Sequence, residues 1–140
     1  MKKLVYDIVN KLHQPGITFG DVRFTSTDDQ SIYFEKGTLK HFSTNRDQMA
    51  IGIRVLVDGC WGFAGTTILT TASIDNAIKQ AISNAKIGSS FRREPVPYTP
   101  IKPTQGSYFF KVQEDPFAMD DQEKIAYHEK AAKLLVGNPA

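Results

Sequence analysis

The stretch AIGIRVLVDGCWGFAGT, from Ala50 to Thr66, leaves the chain few options. Ile51, Ile53, Val55 and Val57 alternate with Ala50, Gly52, Arg54 and Leu56, the period of a strand that buries one face. Asp58-Gly59 follows, and a glycine there accepts the positive φ that a two-residue primed turn requires. The returning strand, Cys60 to Thr66, sets Trp61 and Phe63 on one face with Gly62, Ala64 and Gly65 interleaved. Residues that small admit a second backbone or mark a bulge. Arg54 is the one charge inside the apolar strand. It reads as an arginine snorkelling to water at an edge, or as one that turns inward to meet a carboxylate of a partner or substrate. Arg54, Trp61 and Phe63 are therefore the candidate contacts for a partner or a peptide.

The segments before the hairpin read as one helix and a meander. Leu4, Val5, Ile8, Val9 and Leu12 form a helical stripe over Lys2–His13, which Gln14-Pro15-Gly16 stops. His13 reads as a solvated residue of the last turn. Strands are expected at Asp21–Thr27, Ser31–Glu35 and Thr38–Ser43, with turns at Asp28-Asp29-Gln30 and Lys36-Gly37. Polar residues Asn45–Gln48 lead into the hairpin. Short connections favour antiparallel pairing.

Beyond the hairpin, Ile74, Ala77, Ile78, Ala81, Ile82 and Ala85 make a continuous stripe over a helix Ser73–Ile87, capped by Ser73 or Thr71 and ended by Gly88. Its alanines permit close packing on a sheet. Pro95, Pro97, Pro100 and Pro103 then hold the chain extended, as a surface linker or a strap along another domain. Tyr108–Val112 reads as a short strand and Asp115-Pro116-Phe117 as a turn. A last helix from Gln122 to Leu135 starts at Asp120 and Asp121, shows Ile125, Ala132 and Leu135 on one side, and is broken by Gly137-Asn138-Pro139.

The fold class expected is α+β: an antiparallel or mixed sheet of about five strands, two helices on one face, a Pro-rich strap and a C-terminal helix. Residues 1–88 form the helix-meander-helix core. Residues 89–140 form a linker, a short strand and a helix that lead toward a further domain.

Composition excludes more than it selects. A net charge of +2 over 140 residues does not argue for nucleic acid. Arg92, Arg93 and Lys102 are the residues such binding would draw on. Cys60 is the single cysteine, so no internal disulfide forms, and a reducing compartment fits. Asp7, Asn10 and Lys11 interrupt the first apolar run, which rules out a signal peptide. No window approaches the roughly 18 apolar residues of a membrane span. The location expected is the cytoplasm.

No catalytic motif survives inspection. His128-Glu129 has the look of a zinc-peptidase pair, but that chemistry needs a second histidine one turn on, and Ala132 and Lys133 stand there instead. His41 has no second histidine, cysteine or paired carboxylate at ligand spacing. Cys60 sits in an apolar strand, as a small core residue does. Hence no catalytic, cofactor or metal residue is assigned.

The order of parts resembles the N-terminal domain of the TldD/PmbA family, the modulator-of-DNA-gyrase proteins described as metalloproteases. The residues that carry the resemblance are Gly20-Asp21-Val22-Arg23, Glu35-Lys36-Gly37-Thr38-Leu39 and, most specifically, Gly52-Ile53-Arg54-Val55-Leu56-Val57-Asp58-Gly59-Cys60-Trp61-Gly62-Phe63-Ala64. Ser73–Lys86 and Asp115-Pro116-Phe117 with Glu123-Lys124 support it. The resemblance spans most of the chain and about the first third of a full family member.

That resemblance implies a zinc site, His-Glu-x-x-x-His, in a second domain beyond Ala140, so the 140-residue chain reads as shortened and inactive alone. It also implies partners: the further C-terminal domain and a homologous subunit, in a homodimer or a metal-bearing and metal-free pair. The expected function is a non-catalytic domain that shapes a peptide channel and an interface for proteolysis by the zinc domain. An exposed strand edge offers a place for unfolded peptide. The alternative is a free-standing protein-interaction module without hydrolytic activity.

Overall fold

The computed structural model describes residues 1–136. Its elements are α1 (Lys2–Leu12), β1 (Ile17–Glu35), β2 (Thr38–Val57), β3 (Cys60–Thr66), α2 (Thr71–Phe91) and α3 (Asp121–Val136). The α+β class holds, but the described residues contain one sheet of three strands, ordered β1-β2-β3, in place of the five expected. Expected strands at 21–27 and 31–35 are one strand, because Asp28-Asp29-Gln30 does not turn. Those at 38–43 and 50–57 are likewise one. The polar runs that looked like loops are paired across the ladder instead. Asn45 Nδ2 donates to Asp29 Oδ2 at 3.1 Å, Arg46 Nη1 to Asp28 Oδ2 at 3.1 Å, and Gln30 Nε2 to Thr44 Oγ1 at 2.8 Å. Within β2 the break is a single residue, Asp47, whose φ of 51° has the character of a bulge and not of a strand end.

Both turns are as the sequence predicts. Lys36-Gly37 and Asp58-Gly59 each take two positive φ values, 49° and 77° in the first and 48° and 67° in the second, as a type I′ hairpin turn demands. The second turn sets β2 against β3 antiparallel, with Ile51 opposite Thr66 and Val57 opposite Cys60.

By its contacts the chain divides into two compact units. Unit 1 comprises Met1–Thr27 and Asp47–Ile101, and unit 2 comprises Asp28–Arg46 and Lys102–Ala140. Unit 1 holds the apolar core. Ile51, Ile53, Val55 and Val57 pack from one face of β2 on Ile8 and Leu12 of α1 and on Ile74, Ala77, Ile78, Ala81 and Ala85 of α2. Burial of this kind is the main favourable term in folding, about 25 cal/mol per Å² of apolar surface. The expected small-residue approach is real at Gly62, where a Cβ would overlap the Ala81 carbonyl oxygen and lie 2.6 Å from the Ala85 nitrogen. Lys11 Nζ meets Asp75 Oδ1 at 2.6 Å between the two helices.

The ends of the helices differ in detail from the expectations. α1 stops at Leu12 and leaves His13 outside. The cap of α2 is Thr70, whose hydroxyl accepts from the Ser73 nitrogen at 3.3 Å, so the cap lies one residue before Thr71. Gly88 does not end α2, which runs on to Phe91. A Cβ on Gly88 would lie 2.6 Å from Cys60 Sγ, so this glycine serves close packing against β3.

Unit 2 is organised by polar contacts. Asp120 Oδ1 accepts from the nitrogens of Gln122 at 2.9 Å and Glu123 at 3.3 Å and starts α3. Asp115 makes the expected turn, accepting from Phe117 N at 2.9 Å. Lys124, only 8% exposed, donates to Gln30 Oε1 at 2.8 Å, and Gln30 Nε2 donates to Asp121 Oδ1 at 2.8 Å. Phe117 stacks under the Arg46 guanidinium at 4.1 Å. The apolar stripe expected on α3 is shorter than read: Ile125 and Ala132 are half-buried, but Leu135 is exposed. Tyr108–Val112 is coil, not strand. The break expected at Gly137-Asn138-Pro139 lies outside the described residues.

Candidate functional site

Alternation along β2 and β3 leaves a second face, turned away from the helices, that carries Gly52, Arg54 and Leu56 beside Trp61, Phe63 and Gly65. The three residues singled out from the sequence therefore share one face. Arg54 stands opposite Phe63, and Trp61 opposite Leu56. Leu56 is buried although it lies outside the helix-facing core, so this face is itself partly covered.

Two residues that the sequence reading did not single out for the site complete the cluster. Phe19 in β1 meets Trp61 edge to face, centroids 5.7 Å apart and planes at 83°. Tyr98, from the Pro-rich segment, tilts against Phe19 at 4.9 Å. The strap lies along its own unit at this point, since the Val96 nitrogen donates to the Gly59 carbonyl at 2.8 Å. Phe19 was missed because β1 starts at Ile17, four residues before the strand that the pattern supports. Nothing local to a Pro-rich run signals where Tyr98 packs.

Arg54 meets a carboxylate, and that carboxylate belongs to this chain. Its Nε donates to Asp21 Oδ2 at 2.7 Å and its Nη2 contacts the same oxygen. The guanidinium lies 4.7 Å from the centre of the Trp61 ring and 5.9 Å from that of Phe19. Both partners of the ion pair are partly exposed, so the bond orients the guanidinium more than it stabilises the fold. Phe63, 58% exposed, lines a shallow groove with Arg54, Arg23, Asp21 and Gly52. Chemically the arrangement presents a flat, ring-lined surface with an oriented cation, suited to holding a protein or peptide.

The edge of the sheet at β3 is partly closed. Asn84 of α2 reaches Phe63 and donates from Nδ2 to its carbonyl oxygen at 2.9 Å, filling a position that an added strand would use.

The histidines do not assemble a metal site. His41 Nε2 lies 3.1 Å from Ser43 Oγ, and His128 Nδ1 lies 2.9 Å from the Lys124 carbonyl one turn back. Glu129 is paired with Lys133 at 3.3 Å. Among the described residues no three histidine, cysteine or acidic side chains gather as ligands, so His128-Glu129 does not fit the zinc that the family resemblance implies. No helix among them is long and apolar enough to cross a membrane.

An α+β domain with a helix-covered hairpin and a ring-lined outer face is what these elements define. The family model described as PmbA/TldA metallopeptidase domain 1 matches residues 20–85, from the start of β1 through the core of α2. That segment is similar to the first domain of the PmbA/TldD family. A solved structure from Thermotoga maritima, a candidate modulator of a DNA gyrase, superposes with a TM-score of 0.63 over 93% of this chain at 18% identity. At that identity the likeness is one of fold. The chain spans 28% of the length of that structure. No curated protein matches the chain.

Proposed function

We propose that the chain acts as a non-catalytic N-terminal domain of a TldD/PmbA-like metallopeptidase. In this reading it shapes the channel and the interface for peptide hydrolysis carried out by a downstream zinc domain, in the cytoplasm and beside a homologous subunit. The observation that carries the reading is the family match over residues 20–85, which contains the whole 50–66 hairpin. The ring-lined face around Arg54, Trp61 and Phe63 supports it as the surface toward a partner domain, since aromatic and arginine side chains supply most interface energy.

The test is direct. Purified chain, incubated with zinc and an unfolded fluorogenic peptide, is expected to retain no stoichiometric metal and to cleave nothing. Addition of a family subunit bearing the His-Glu-x-x-x-His site is expected to give a complex that does cleave. Metal-dependent turnover by the chain alone overturns the reading. The exposed run Tyr108-Phe109-Phe110 favours a second reading, a free-standing interaction module. Failure to bind the zinc-bearing subunit, with a partner of another kind retained, selects that module.

A further inference from the structure

The Pro-rich strap sits on unit 1 in the way a bound peptide would. Arg92 leaves α2 at φ −71° and ψ 145°, the values of a polyproline II helix. Pro95, Pro97, Pro100 and Pro103 fix their own φ and push the residue before each into the same region. With about three residues per turn, a helix of this kind carries Pro95, Tyr98 and Ile101 along one edge. That edge is the one that meets the sheet. Pro95 packs on the hairpin turn, where a Cβ added to Gly59 would lie 3.0 Å from its Cα, and Tyr98 lies against Phe19 of β1. Between them the Val96 nitrogen donates to the Gly59 carbonyl. Ile101, next along the edge, is 83% exposed, so the contact ends after Tyr98.

The surface is larger than the segment that rests on it. Its rings continue from Phe19 to Trp61, with the Arg54 guanidinium over the Trp61 ring, and on to Phe63, which is 58% exposed. Among the described residues the strap stacks on Phe19 and on neither Trp61 nor Phe63. Its hold is also light, one main-chain bond and one ring pair. A second segment of the same chemistry would match that hold, and one that reached the Trp61 end would exceed it. Aromatic surfaces suit polyproline II segments because the prolines have already given up the freedom that binding would cost.

We infer that the Phe19–Trp61 face is a binding site for an extended, proline-rich segment bearing an aromatic residue, occupied in cis by residues 95–98 until such a segment of a partner takes their place. The strap is then both the pattern of the ligand and its competitor, at an effective concentration on the order of millimolar. The inference deepens the reading of this face as a partner surface and does not depend on the zinc domain.

The probe is a synthetic peptide with the sequence of residues 94–103, and the readout is Trp61, the single tryptophan of the chain. Tyr98→Ala removes the ring that the strap contributes, and Val96→Pro removes its main-chain donor; neither residue belongs to the core. Each variant is expected to show a saturable change in Trp61 emission, with the peptide bound at least about tenfold more tightly than by the unaltered chain. The same peptide carrying Tyr98→Ala is expected to lose that gain, as is the Val96→Pro chain once Phe19→Ala is added. No saturable response from either variant up to about 1 mM peptide overturns the inference. So does equal affinity for the unaltered chain and both variants, because the strap would then not hold the site. Binding that survives Phe19→Ala places the peptide elsewhere and overturns it too. Capture of the zinc-bearing subunit with no response to the peptide overturns this inference and leaves the family reading standing.

Discussion

Strand β2 passes through both units, and its two halves differ. From Ile51 to Val57 every second residue is buried, and the partners are the aliphatic side chains of α1 and α2. From Thr38 to Gln48 hardly any residue is more than half-buried. There the cross-strand partners are amides, hydroxyls and charges, and the one buried residue of unit 2 among those described is Lys124. One half is held by exclusion of water, which is indifferent to direction. The other is held by directed bonds, each worth little in water but costly to break once one partner is buried. Fold stability is thus expected to reside in unit 1, and specificity of geometry in unit 2.

The largest expected effect tests the first half of that contrast. Gly62→Val puts a side chain where the Ala81 carbonyl stands and should cost more than about 3 kcal/mol in denaturant unfolding. Ile53→Ala, which empties a buried position without a clash, should cost about 3 kcal/mol by the same measurement. Either change leaving stability within about 0.5 kcal/mol would remove unit 1 as the seat of folding.

Gln30→Leu addresses unit 2. It strips Lys124 and Asp121 of a partner and is expected to open α3 locally by about 1–2 kcal/mol. Hydrogen exchange should show α3 amides exchanging faster while residues 51–57 stay protected. If both regions accelerate together, the two units are one cooperative body. Thr70→Ala should cost about 1 kcal/mol through the lost cap of α2, read in thermal unfolding. The smallest effect belongs to Arg54→Lys, below about 1 kcal/mol, because its ion pair is exposed. Its consequence should appear instead as weaker binding of a partner to the outer face, since lysine lacks the planar group that stacks on Trp61.

Legibility from sequence follows the same division. The 50–66 hairpin was plain because strict alternation and a primed turn are both local signals, and Arg54, Trp61 and Phe63 do share a face. Local signals mislead where pairing is remote. Asp28-Asp29-Gln30 looks like a turn until Asn45, Arg46 and Thr44 are seen across the ladder. Gly88 looks like a helix stop until Cys60 is found against it. Of the site, Asp21 had been read only as the start of a strand, and its bond to Arg54 spans a separation that no local pattern reports. Tyr98 was silent for the same reason.

The reach of Asn84 across to Phe63 has a consequence for how this protein assembles. It occupies one acceptor on the β3 flank, where a neighbouring strand would otherwise bond. A sheet that can lengthen at both margins is a seed for fibres, whereas one that lengthens at a single margin is finished after one meeting. An amide lent by α2 thus lowers the chance that copies of this chain add end on end through β3.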